Sequence, residues 1–156
     1  MNRDRYPFFQ KRTPITEGFL ISVEEYDNFL KSPQLPRLYS EYSSILCVYA
    51  IYPKLSRITC YPGNFFTVVK IYFKFTNEGM KEYKKHSQLL NSYSVIHTTG
   101  LSRSNSSYIV EYYIGVSDEH SQWIKFKELI DQFRSSSNIQ RCEGELIHFQ
   151  DHFENG

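Results

Sequence analysis

The stretch Phe65-Phe66-Thr67-Val68-Val69-Lys70-Ile71-Tyr72-Phe73-Lys74-Phe75 constrains the fold more than any other part of this chain. Val69, Ile71, Phe73 and Phe75 occupy alternate positions; Val68, Lys70, Tyr72 and Lys74 occupy those between. Side chains along a strand point to opposite sides with period two, so the stretch is predicted to be a half-buried β-strand whose first set faces a core. The second set places Lys-Tyr-Lys on the other face, where it is expected to meet water, a phosphate backbone or an acidic partner.

The remaining elements follow from pattern and punctuation. Gly18 to Val23 reads as a short strand leading into a helix over 24–30, whose acidic first turn suits the positive end of the helix dipole and whose Tyr26, Phe29 and Leu30 share a face. Ile45 to Tyr52 is apolar on both faces, as in a central strand covered on each side. Arg57 to Tyr61 is a second strand, and Tyr61-Pro62-Gly63-Asn64 carries the Pro and Gly of a type II turn. Together they predict an antiparallel meander of 45–52, 57–61 and 65–75. A helix capped by Thr76 or Asn77 runs to about Leu90. Val95-Ile96-His97 belongs to a strand, 102–107 is a polar loop, and Tyr108 to Val116 is a strand with Ile109, Glu111 and Tyr113 on one side. Trp123, Phe126, Leu129, Ile130 and Phe133 form the apolar stripe of a helix lying on a sheet. Glu145 to Phe149 is a last edge strand. Runs of adjacent strands imply antiparallel pairing, so the predicted fold class is α+β: one mainly antiparallel sheet of five to six strands packed by two to three helices.

Length and composition bound the function. A chain of 156 residues is one domain on length alone, with a flexible basic arm expected at 1–14, the domain at 15–150 and a tail at 151–156. A net charge of +1 gives no global field toward nucleic acid or anionic membrane, so any such role needs a local patch. Cys47, Cys60 and Cys142 are odd in number, widely spaced and without a Cys-x-x-Cys, which predicts free thiols in a reducing compartment. The first residues carry no apolar signal-peptide core, and no apolar run approaches the roughly 20 residues a bilayer needs. A cytoplasmic or nuclear location is therefore expected. Aromatics reach 17%, with Tyr 13 and Phe 12, and a tyrosine-rich surface favours contact with partners.

Catalytic signatures are sparse. His97-Thr98-Thr99 resembles one half of the His-x-Thr/Ser signature of 2H phosphoesterases; the comparable second place, His148-Phe149-Gln150, lacks the hydroxyl residue. Cys142, His148 and His152 have metal-ligand residue types, but their segment reads as a strand running into a tail, so no metal and no cofactor is expected. The strand face formed by Lys70, Tyr72 and Lys74, with Tyr113 beside it if 65–75 and 107–116 are neighbours, is the candidate binding surface. The same neighbours would also supply cross-strand Lys–Glu and Tyr–Tyr pairs. The leading expectation is a non-catalytic interaction module, an adaptor docking a protein partner through that face. Single-stranded RNA or DNA, stacked on its aromatics, is the second. A small enzyme with a dispersed site around His97, Tyr61 and Cys60 is the third, and a homo-oligomer built on strand 65–75 the fourth.

Overall fold

The computed structural model describes residues 16–30, 41–52, 55–116, 120–147 and 149. The expected arm at 1–14 and tail at 151–156 lie outside the described residues. In chain order the elements are β1 (Thr16–Ser22), α1 (Val23–Leu30), β2 (Ser44–Tyr52), β3 (Leu55–Gly63), β4 (Thr67–Thr76), α2 (Met80–Leu90), β5 (Ser94–Thr98), β6 (Ser102–Ser104), β7 (Ser107–Val116), α3 (His120–Arg134) and β8 (Ile139–Ile147). They form two antiparallel sheets, β1-β2-β3 and β5-β7-β4-β8, with β6 paired to β7. The α+β class is as expected, but the strands number eight among the described residues and divide between two sheets.

The larger sheet is built on β4, flanked by β7 and β8. Its alternation works as the sequence predicts on one face. Val69, Ile71, Phe73 and Phe75 join Val110, Tyr112, Ile114 and Val116 of β7 beneath Leu90 of α2 and Phe126, Leu129, Ile130 and Phe133 of α3. Each such side chain, fully buried, stabilises the fold by about 1.5–3 kcal/mol. The path β4-α2-β5-β7-α3-β8 is a split β-α-β connection, with both helices packed on this one face. Because β4 is paired on both edges, it offers no edge along which a second copy could add a strand.

The smaller sheet lies on the other face. Leu20, Leu46 and Val48 pack against Val68, Tyr113 and Ile147 of the larger sheet, while Ile21, Ile45 and Cys47 face Tyr26 of α1. Thus β2 is covered on both sides, as its doubly apolar sequence predicts. The layers run α2 and α3, larger sheet, smaller sheet, α1. Gly18 permits the close approach: a Cβ there would collide with Cε1 of the Tyr113 ring. A capping box fixes the start of α1, where Ser22 Oγ accepts from the Glu25 N–H at 3.1 Å and the Glu25 carboxylate accepts from the Ser22 N–H at 3.0 Å.

The expected three-strand meander is not formed, because β3 and β4 belong to different sheets. Pro62 and Gly63 do not turn the chain; they extend β3, an edge strand where a missing N–H is tolerated. The crossing is made by Asn64 to Phe66. Ser44 Oγ donates to the Gly63 carbonyl at 3.0 Å and accepts from the Phe65 N–H at 2.9 Å, and Asn64 Oδ1 accepts from the Ser43 N–H at 2.9 Å. The Phe65 ring occupies the space above Gly63. Three boundaries also move. Helix α2 begins at Met80, after a turn in which the Gly79 N–H donates to the Thr76 carbonyl. The polar segment 102–107 folds as a hairpin, with Asn105 supplying the positive φ of 55° at its tip. Strand β8 starts at Ile139, earlier than its sequence suggests.

Candidate functional site

The structure closes most of the Lys/Tyr face. Lys70 is 6% exposed, Glu111 2% and Tyr113 0%. Lys70 Nζ lies 3.0 Å from a Glu111 carboxylate oxygen and donates to the Thr16 carbonyl. The other Glu111 oxygen accepts from the Thr16 N–H at 3.2 Å and from the Thr16 hydroxyl, and the Tyr113 hydroxyl donates to Thr16 Oγ1 at 3.1 Å. The network must be this complete, because a buried charge without partners costs several kcal/mol. The cross-strand reading of Lys70 with Glu111 is the one realised, set diagonally since Lys70 is in register with Tyr113. The expectation of an open face is therefore corrected at Lys70 and Tyr113. Tyr72 and Lys74 are half-buried at its other end, where the Arg141 guanidinium lies 5.8 Å from the Tyr72 ring centre.

Of the three dispersed candidates for catalysis, two meet. His97 Nδ1 lies 2.6 Å from the Tyr61 hydroxyl. Burial lowers the His97 pKa, Glu111 opposes that fall and Arg57 adds to it; burial likewise raises the Tyr61 phenol. The two side chains satisfy one another as a half-buried hydrogen-bonded pair. Cys60 precedes Tyr61 on the strand and faces α1 instead, so the three do not converge. His148 and His152 lie outside the described residues; among those described, no cluster of three metal-ligating side chains occurs.

A different site emerges at β8. It is the last strand of the larger sheet, and among the described residues no strand pairs with its outer edge. The alternation of Cys142-Glu143-Gly144-Glu145-Leu146 turns Gly144 and Leu146 toward α3. Where a side chain would stand at Gly144 there is instead a groove of about 250 Å³, walled by Val69, Trp123, Phe126, Ile130 and Leu146. Leu146 and Ile124 are each 43% exposed, unusual for aliphatic side chains beside a core. The charges at the rim are engaged internally. Asp131 pairs with Arg134 at 3.1 Å, Arg134 Nε donates to the Cys142 carbonyl at 3.1 Å, and Lys127 Nζ sits 5.3 Å from the Trp123 ring centre.

The other edges are defended. Pro62 lies within β3, and Leu20 of β1 bridges to Phe149; the pairing of β5 with β7 shifts register between Val95 and His97, as that of β8 with β4 does between Lys74 and Phe75. Sequence reasoning passed over Gly144, Leu146 and Trp123 as a site. The available signal was a glycine inside an alternating strand, which marks a place where something approaches closely. Comparison of the chain with known family models, characterised proteins and solved structures finds no match. No described helix is long and apolar enough to cross a membrane.

Proposed function

We propose that this chain is a non-catalytic interaction module that adds an extended segment of a partner protein to β8, seating one apolar side chain of that segment over Gly144. The observation that carries this reading is the outer edge of β8, with which no described strand pairs, running beside the groove. Strand addition draws affinity from main-chain hydrogen bonds and specificity from pockets for alternate side chains. A volume of about 250 Å³ lies below the ~300–1,000 Å³ of small-molecule sites, so it suits a side chain better than a cofactor. The rim's internally paired charges favour a neutral, apolar residue as the occupant. Nucleic acid is less well served, since Lys70 is committed to Glu111 and Tyr113 has no exposed ring for stacking.

The test is a selection from a random displayed-peptide library on the immobilised chain, run in parallel on Gly144→Val and on a Tyr72→Ala/Lys74→Glu control. A Cβ at Gly144 would meet only Val69 Cγ1, at 3.9 Å, so valine fills the groove without disturbing the strand. Apolar, extended peptides enriched on the wild type and the control, but not on Gly144→Val, support the proposal. Peptides that survive Gly144→Val and vanish on the control return the site to the Lys/Tyr face.

A further inference from the structure

The register of the smaller sheet sets Cys47 of β2 directly opposite Cys60 of β3. Opposed residues in an antiparallel pair have Cα atoms about 4.5 or 5.5 Å apart, and a disulfide accepts about 4.4–6.8 Å. The two sulfur atoms lie 3.6 Å from one another, in hydrogen-bond contact. Both Cα separations lie within the disulfide range, so the pair is placed for side-chain rotation to bring the sulfurs together. Their surroundings are unequal. Cys47 is 2% exposed, in the middle of the sheet, while Cys60 is partly open on the edge strand. Both face the Tyr26 side of α1.

We propose that Cys47 and Cys60 are a reactive dithiol, oxidised by peroxide to a cross-strand disulfide, with Cys60 the attacking sulfur. The Cys60 thiolate attacks one peroxide oxygen; the O–O bond breaks, leaving Cys60 sulfenic acid and a hydroxide that takes up a proton as water. Cys47 then loses its proton as its sulfur attacks the Cys60 sulfur. The S–O bond breaks, and the departing hydroxide leaves with that proton as a second water. Two thiols supply the two electrons that reduce one peroxide, and a dithiol reductant reverses the change.

The chemistry of the pair agrees with these roles. The hydrogen bond from Cys47 pulls the Cys60 thiol well below its ordinary value, against its burial, and the Tyr26 hydroxyl adds to the fall. The same contact and burial push Cys47 up. Thiolate, not thiol, is the nucleophile, so the exposed member of the pair is the primed one. Cys142 is an internal control, buried on the helix side of the larger sheet with its thiol raised by burial to about 12.

The experiment treats the full reduced chain with hydrogen peroxide under native conditions, blocks free thiols with maleimide, and maps the peptides by mass spectrometry. The expected product is a Cys47–Cys60 cross-linked peptide, with Cys142 labelled only after denaturation and the link lost on dithiothreitol treatment. In Cys47→Ser, which keeps a donor to Cys60 but offers no sulfur, Cys60 should be trapped as sulfenic acid by dimedone. Cys60→Ala should leave Cys47 unoxidised. Cross-links that involve Cys142, or oxidation of Cys60 to sulfinic acid in the wild type with Cys47 still free, would overturn the proposal. So would equal maleimide rates at Cys60 and Cys142 in the folded, reduced protein.

Discussion

Replacing Lys70 with methionine tests whether the two sheets close over the ion pair as described. Lys70 and Glu111 are 3.0 Å apart with side chains 7% and 3% exposed. At that separation and an effective dielectric of about 20, their attraction is roughly 5–6 kcal/mol, most of it offsetting the desolvation of two charges. Methionine keeps the length of the side chain and removes the cation. It leaves Glu111 buried, with only the Thr16 N–H and hydroxyl as donors to its carboxylate among the hydrogen bonds described. Breaking one side of a buried pair costs about 3–5 kcal/mol. For a chain of 156 residues that is a fall in Tm of roughly 6–20 °C. The neutral pair Lys70→Met with Glu111→Gln removes the orphaned charge and keeps an acceptor for Thr16, so it should recover most of the loss. Urea titration followed by the fluorescence of the single tryptophan, Trp123, measures both. A loss below about 1 kcal/mol in Lys70→Met is what a surface pair gives, and it would refute the closed network. Failure of the double variant to recover would refute the argument that charge, not shape, sets the cost.

Three further outcomes are expected. Gly18→Ala drives a methyl group against Cε1 of Tyr113 and should destabilise by about 1–3 kcal/mol in the same titration, whereas Gly144→Val should leave the urea midpoint unchanged or raised, since valine suits a strand. His97 and His86 both have pKa values lowered by burial, so the unfolded chain binds protons more readily than the folded one. Their effect is absent above the unfolded value near pH 6.5, and stability should fall as pH drops below it, by at most about 1.4 kcal/mol per pH unit for each histidine. His97→Gln should flatten that slope; an unchanged slope would mean that His97 is not buried.

Local pattern carried part of this structure and distance in sequence hid the rest. The core face of β4, the stripe of α3 and the double covering of β2 are periodicities within one element, and each is where the alternation places it. The fate of Lys70 is not local. It is sealed by Thr16, 54 residues away, and Thr16 in turn meets Glu111 from 95 residues away. A strand face bearing Lys-Tyr-Lys reads as exposed until the covering sheet is known. Pro62-Gly63 misled for a related reason: the dipeptide that marks a turn also fits an edge strand, and only the pairing partner decides. The groove at Gly144 and the opposition of Cys47 to Cys60 depend on where a helix lies and on register, neither of which a single segment encodes.

A partner strand docked on β8 must protect the amides of its outer edge. Amide hydrogen exchange, read residue by residue with and without a selected peptide, tests it directly. New protection is expected at alternate amides between Glu143 and Ile147, with chemical-shift changes at Trp123 and no change at Tyr72 or Lys74. Protection confined to the Tyr72 and Lys74 end of the sheet, with β8 exchanging as before, would contradict docking on β8.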